Sequence, residues 1–163
     1  MELRHITYVG PEIDDQEILA ALPPALQSLL GQINGFIQYE GGLHVRGACL
    51  EPEWHSLRSA WLGDDAFHRL YPQVLPTDIP LAEDCVGDQL LLRDGVVWLL
   101  SCETGAVESL DVTFFEFLER AEQDPVSQLQ MQPLLLHLQE AAPMAPGQLL
   151  SIYPPFCTEE AAG

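Results

Sequence analysis

Residues 87–110 read GDQLLLRDGVVWLLSCETGAVESL, which is three short apolar runs separated by two turn sequences. The first turn is Asp94-Gly95, a dipeptide typical of tight hairpins because a type I′ turn needs positive φ at both central positions. The second turn, at residues 103–105, ends in Gly105. The pattern predicts a three-stranded antiparallel meander.

Helical sequence patterns flank this meander on both sides. Before it, residues 15–33 form two helical pieces, with Pro24 in the first turn of the second piece. After it, Thr113 and Glu116 fit a capping box that opens another helix. Further helices are predicted at residues 53–62, at residues 64–71 with Asp64 as the cap, and around residues 134–138.

Two more segments complete the predicted sheet. Apolar runs on either side of Gly41-Gly42 indicate a second hairpin, and residues 149–153 fit a last edge strand. Helices around an antiparallel sheet indicate an α+β fold, and 163 residues suit one domain of about 100–200 residues. We therefore expect a single domain over residues 1–163, with residues 125–163 as a C-terminal extension packed on it.

The charge of the chain restricts its partners. Asp and Glu number 25 and Lys and Arg number 6, which gives a formal net charge of −19 at pH 7. Such a chain repels phosphate, so we expect no direct binding to nucleic acid and none to an anionic membrane surface. A basic protein is the partner that this charge favours.

No sequence motif indicates an enzyme, a metal site or a cofactor. The histidines form no HExxH pattern, and the chain contains no GxSxG, GxGxxG or Walker sequence. The cysteines form no CxxC pair, so free thiols are expected. One site stays open, because His55 and His68 could share a location with Cys49; partly exposed imidazoles in a helical segment are the alternative. The sequence thus predicts no catalysis, no metal and no cofactor.

The N-terminus and the apolar runs predict the compartment. The first residues, MELRHIT, lack the basic start and apolar run of a signal peptide. The longest apolar run in the middle of the chain, Val96–Leu100, is far too short to cross a bilayer. We therefore expect a cytoplasmic protein.

Residues 22–118 resemble the SUKH superfamily, also called SMI1/KNR4-like. The resemblance rests on short motifs in a shared order: Leu22-Pro23, Asn34-Gly35, DIPLAED at 78–84, GDQLLLRDG at 87–95, Val96-Val97-Trp98, Glu103-Thr104-Gly105 and FFEFL at 114–118. It does not include residues 48–77 or the segment after Asp124.

The resemblance implies an α+β fold and a function in protein binding. Bacterial members of the superfamily are immunity proteins of polymorphic toxin systems, which neutralise a cognate toxin, often a nuclease, by binding it. Fungal members regulate cell-wall synthesis and signalling. The resemblance brings no catalytic residues with it. The acidic chain agrees with it, because nucleases that hold phosphate present basic clefts.

Candidate partner-binding residues are acids near the predicted turns and sheet edge, and two tryptophans. The acids are Glu40, Glu83, Asp84, Asp88 and Asp94; the aromatic anchors are Trp54 and Trp61. Each has a structural alternative. Asp94 is suited to a turn, Asp88 to capping the strand entry, and the two tryptophans to the core.

Three functions follow from the sequence. The first is an immunity protein that binds and occludes a cognate toxin, expected to be basic and of the nuclease type. The second is a non-catalytic regulatory or scaffold protein with the same fold. The third is an enzyme whose Cys or His site forms only in three dimensions, for which a pocket lined by Cys49, His55 and a carboxylate would be the evidence. The oligomeric state is not predicted.

Overall fold

Seven strands form one antiparallel sheet in the computed structural model, which describes residues 2–150. The strands lie in the sheet in their chain order, so each inner strand pairs with the strand before it and the strand after it, and β1 and β7 are the two edges. They are β1 (Ile6–Val9), β2 (Phe36–Gln38), β3 (Leu43–Val45), β4 (Ile79–Asp84), β5 (Gln89–Arg93), β6 (Val96–Leu100) and β7 (Val107–Ser109). With the helices packed on it, this sheet makes a single α+β domain, which confirms the predicted fold class.

Seven α-helices connect and cover the strands of the described chain. They are α1 (Gln16–Ala20), α2 (Pro24–Gln32), α3 (Leu57–Leu62), α4 (Phe67–Leu70), α5 (Phe114–Gln123), α6 (Pro125–Gln128) and α7 (Gln132–Glu140). Short 3₁₀ turns lie at Tyr39–Gly41 and Glu53–His55. Pro24 opens α2, and the Thr113 hydroxyl accepts a hydrogen bond from the Glu116 N–H at the start of α5, as the sequence predicts.

The central meander forms as predicted. Asp94 and Gly95 have φ of 52° and 79°, the pair of positive values that a tight hairpin turn requires. Five residue pairs join β5 to β6 in continuous register, from Gln89 with Leu100 to Arg93 with Val96. The last strand is shorter than predicted, because only residues 107–109 pair with β6.

The structure also differs from the sequence predictions outside the meander. Residues 53–62 are interrupted at Ser56, whose hydroxyl accepts from the Ser59 N–H and starts α3 there. Helix α4 begins after Ala66 and has no side-chain cap, so Asp64 is not its cap. Residues 149 and 150 are not a strand, and the rest of that predicted strand lies outside the described residues.

Alternate side chains of each strand point to opposite sides of the sheet. Buried apolar clusters cover both of these faces. Leu90 and Leu92 belong to the larger core, which includes Leu30 of α2 and Phe117 of α5. Leu91, between them, belongs to a smaller cluster with Val74 and Leu100 on the other side. We call the side of the sheet that packs in the larger core the helix face, and the opposite side the second face.

The C-terminal extension contributes to the larger core. Leu129, Met131 and Leu134 are all buried in it. Beyond α7, the Leu150 N–H donates to the Cys85 carbonyl at 2.8 Å. The described part of the extension therefore packs on the domain; residues 151–163 lie outside the description.

Candidate functional site

Neighbouring strands place a row of polar side chains across the second face. The register pairs His44 of β3 with Glu83 of β4, and Glu83 with Gln89 of β5. All three are buried, with exposed fractions of 5%, 8% and 1%. Buried polar groups need hydrogen-bond partners, so the contacts of this row determine what it can do.

A chain of hydrogen bonds extends from Glu83 through two histidines. Glu83 Oε1 lies 3.0 Å from His44 Nδ1, and His44 Nε2 lies 2.8 Å from His55 Nδ1. His55 Nε2 lies 2.9 Å from the carbonyl oxygen of Asn34, just after α2. The chain thus joins β3 and β4 to the 3₁₀ turn that precedes α3.

The acceptors at the two ends assign the protons in this chain. A carbonyl oxygen only accepts, so His55 Nε2 carries a hydrogen and donates to Asn34. Burial lowers the pKa of His55 to about 4, so its ring is neutral at pH 7 and Nδ1 accepts from His44 Nε2. His44 therefore bridges the Glu83 carboxylate and the His55 ring inside the protein.

Glu83 is the shared acceptor of the network. Burial raises the pKa of this carboxyl, but the Arg46 guanidinium and the His44 ring outweigh that effect and hold it at about 2. Arg46 donates to Glu83 Oε2 at 2.9 Å and to the Pro80 carbonyl at 2.7 Å. Gln89 Nε2 donates to the same carboxylate at 3.0 Å. One carboxylate therefore engages His44, Arg46 and Gln89 inside the protein.

The network does not present a free base to a substrate. His44 and Glu83 line a cavity of about 150 Å³ under residues 143–149. Both ring nitrogens of His44 are engaged, so neither can take a proton from a molecule in that cavity without breaking the chain. The arrangement is suited to joining elements rigidly.

The cysteine and histidine site left open by the sequence does not form among residues 2–150. His55 is fully buried, which corrects the expectation of a partly exposed imidazole. Cys49 is also buried, and burial raises the pKa of its thiol to about 11, so the nucleophilic thiolate is not populated at neutral pH. Neither Cys49 nor His55 lines the cavities beside His44, Trp54, Tyr39 and Asp84.

The predicted partner-binding acids occupy three kinds of position. Glu40 and Asp94 are exposed, Asp88 is half-buried, and Glu83 and Asp84 are buried. Asp84 Oδ1 accepts from the Val86 N–H at 3.0 Å and the Asp88 N–H at 3.1 Å, so it shapes the β4–β5 turn. Glu83 and Asp84 are therefore buried acids and not exposed ones.

Asp84 and Asp88 form a close carboxylate pair in that turn. Burial, followed by the Asp88 charge, raises the pKa of Asp84 to about 7. The Gln130 amide donates to both, at 3.4 Å and 3.3 Å. Asp88 also accepts from the Cys102 N–H at 3.1 Å, so the pair connects the turn to the end of β6 and to the C-terminal extension.

The two predicted tryptophan anchors are half-buried. Trp54 packs against Tyr8, His44 and His55, with ring centroids 5.1–5.5 Å apart. A Cβ at Gly147 would lie 2.7 Å from the Trp54 ring, so the C-terminal extension crosses this indole closely. Trp61 Nε1 donates to the Pro76 carbonyl at 3.0 Å, and its ring packs against the larger core. Both retain some exposed surface, so partner contact through them stays a prediction.

Three of the arginines lie against buried carboxylates. Arg46 pairs with Glu83, Arg58 with Asp15, and Arg93 with Asp78. The exposed acids of the described chain are Glu2, Glu12, Asp14, Glu17, Glu40, Glu51, Glu53, Asp64, Asp65, Asp94, Glu103, Glu108, Asp111, Glu116, Glu119, Glu122, Asp124 and Glu140. The exposed arginines there are Arg4, Arg69 and Arg120. The solvent-facing surface is therefore strongly negative.

His44 and Arg46 were not predicted from the sequence as parts of a site. Each was one polar residue in a short predicted strand, and only the pairing of β3 with β4 brings them to Glu83. Alternation in the LHVR sequence at 43–46 was the available signal, because it places two polar side chains on one face of a strand.

Comparisons with protein-family models, with curated proteins and with solved structures found no match for this chain. Between residues 2 and 150, no group of three His, Cys, Asp or Glu side chains is arranged to hold a metal ion. No helix in this part of the chain has the length and apolar character needed to cross a membrane.

Proposed function

We propose that this protein is an immunity protein of a polymorphic toxin system, which binds a basic cognate toxin in the cytoplasm and occludes it. The distribution of charge carries the proposal: Arg46, Arg58 and Arg93 neutralise buried acids, whereas most acids face solvent. The resemblance to SMI1/KNR4-like proteins supports a toxin as the partner.

The mechanism is binding without a chemical step. A negative surface of this size steers a basic partner during diffusion and raises the association rate. The buried ion pairs and the covered sheet keep the fold rigid, so little ordering cost is added when the complex forms. The toxin, proposed to be a nuclease, is inhibited because its phosphate-binding cleft is filled by acidic side chains.

Capture of the partner tests this proposal. The tagged protein is isolated from the cells that produce it, washed at rising salt concentration, and its partners are identified by mass spectrometry. We expect one stoichiometric basic protein that carries a toxin or secretion module, and we expect this protein to inhibit that toxin at equimolar ratio. An unrelated tagged protein of similar negative charge controls for non-specific capture.

Two results would count against the proposal. Capture of the same proteins by the control would mean that charge alone explains the binding. A set of housekeeping proteins in place of a toxin would favour the regulatory or scaffold function instead.

A further inference from the structure

Two cavities of the described protein meet at one corner of the sheet. The first, of about 150 Å³, lies under residues 143–149, and the second, of about 340 Å³, lies between β1 and α7. Thr7 and Glu40 line both cavities, so the two lie side by side there; we call this surface the Glu40 groove. Its apolar lining includes Ile37, Met144 and Leu149 in the first cavity and Ile6, Met131 and Leu138 in the second.

A carboxylate without a partner lies at the middle of this apolar surface. Glu40 is exposed, and it forms no hydrogen bond or ion pair with any residue from 2 to 150. Its backbone φ is 55°, and that of the preceding Tyr39 is also 55°. Two successive left-handed residues with a Cβ are unfavourable for the backbone, yet this conformation is what places the Glu40 side chain between the cavities.

The groove follows an open edge of the sheet. β1 is the first strand and pairs only with β2, so the backbone groups on its outer side meet no other described strand. Val9 on this strand is 57% exposed. An extended peptide can add to such an edge through main-chain hydrogen bonds, with alternate side chains entering neighbouring pockets.

Charge selects the occupant of the groove. Residues 151–163, which follow the groove-lining Leu149, contain Glu159 and Glu160 and no Lys or Arg. A second copy of the chain carries the same net charge of −19. Both would bring negative charge to Glu40, whereas a basic segment of another protein is attracted to it.

We propose that the Glu40 groove binds an extended segment of a basic protein, with an arginine or lysine side chain on Glu40 and apolar side chains in the two cavities. The inference rests on the proposed function, because it names the surface through which that function would operate. Glu40 pairs with the incoming cation by a charge-assisted hydrogen bond, and β1 supplies the main-chain contacts.

The first experiment is an NMR titration of the full chain with a synthetic peptide in which arginine alternates with valine and leucine. We expect chemical-shift changes at the amides of Thr7 and Glu40 and at the methyl groups of Ile6, Ile37 and Met144. A peptide with glutamate in place of arginine should cause none of these changes.

Two matched variants separate the groove from the general negative field. Glu40→Gln and Asp111→Asn each remove one exposed charge from a residue whose φ is 55°. We expect Glu40→Gln to weaken binding of the arginine peptide about tenfold, the usual effect of losing one well-placed ionic hydrogen bond. Asp111→Asn should change the affinity by less than about twofold, as expected for an acid outside the contact.

Four results would overturn the inference: equal weakening by the two variants, shift changes confined to another surface, no binding of the arginine peptide, or contacts between residues 151–163 and Met144 in the free protein. Partner capture distinguishes failure of the groove from failure of the proposed function. Capture of a basic toxin by Glu40→Gln at wild-type strength rejects the groove alone. Binding of the peptide in the groove with no toxin captured by the wild-type protein rejects the toxin alone.

Discussion

At the scale of single residues, Glu83 is the side chain on which the second face depends. Glu83→Gln keeps the size of the side chain but leaves the Arg46 guanidinium without a counter-ion in the interior. Breaking a buried pair in this way costs about 3–5 kcal/mol of unfolding free energy. Urea unfolding of the two proteins at pH 7 measures this loss of unfolding free energy. Glu119→Gln, at an exposed position of α5, should change stability by less than about 0.5 kcal/mol.

The pH dependence of this effect follows from the lowered pKa of Glu83. A carboxyl that is ionised in the folded state stabilises the fold above its ordinary pKa of 4.5, and the contribution is lost as the pH falls toward about 2. The stability difference between Glu83→Gln and the wild-type protein should therefore shrink below pH 4.5. A constant difference down to pH 2 would mean that the carboxylate charge is not what holds the network.

Asp84 is expected to have the opposite pH dependence. Its folded pKa of about 7 lies above the ordinary 3.8, so its burial costs stability progressively as the pH rises from 3.8 to 7, and fully above 7. Asp84→Asn retains an oxygen for the Val86 and Asp88 N–H groups and cannot ionise. We expect the variant to be more stable than the wild-type protein by about 1–2 kcal/mol at pH 8, and equally stable at pH 4.

Thermal unfolding at the two pH values checks this prediction. Asp94→Asn, in the exposed β5–β6 turn, serves as the control and should shift the melting temperature equally at pH 4 and pH 8. An Asp84→Asn protein that is less stable at pH 8 would show that the carboxylate pair with Asp88 supports the turn.

At the scale of elements, two glycines separate backbone conformation from packing. A Cβ added at Gly31 in α2 or at Gly95 in the β5–β6 turn meets no atom within 4 Å, but only Gly95 has a left-handed φ, of 79°. Gly95→Ala should therefore destabilise the protein by about 1–2 kcal/mol through backbone strain. Gly31→Ala should stabilise it by about 0.5–1 kcal/mol, because alanine favours the helix. Urea denaturation of both variants gives the comparison, and equal signs would contradict it.

The elements that could be predicted from sequence are those whose information is local. The β5–β6 hairpin is encoded by Asp94-Gly95 between apolar runs, and the start of α5 by Thr113 and Glu116. The four-residue strand β1 was not predicted, because its status depends on pairing with β2, about 30 residues later in the chain.

The candidate site was predicted less well for the same reason. Glu40 was selected as an acid near a turn, and the structure does place it there, exposed and beside β1. Glu83 was selected on the same grounds, yet its pairing with His44, 39 residues away, buries it. Register between distant strands is set by the packing of the whole sheet, and one sequence does not display it.

At the scale of the whole molecule, the exposed acids oppose folding by mutual repulsion. Raising the salt concentration screens these surface charges and has little effect on the buried pairs of Arg46, Arg58 and Arg93. We expect the melting temperature to rise by several degrees between 0.01 M and about 0.5 M NaCl, about 1 kcal/mol or more in stability.

Calorimetry in NaCl, KCl and choline chloride measures this effect. Equal increases in the three salts would agree with screening, because screening depends on ionic strength alone. An increase confined to one cation would indicate binding at a site, and a decrease would mean that surface ion pairs outweigh the repulsion.

The chain order of the strands, β1 to β7, has a consequence for biosynthesis. Each strand that leaves the ribosome finds its pairing partner already made, so the sheet can extend one strand at a time from the N-terminal side. No early strand has to wait for a late one to enter between two others, and the edge opposite β1 is at each stage the one about to be covered. Such sequential assembly shortens the interval between translation and a complete sheet.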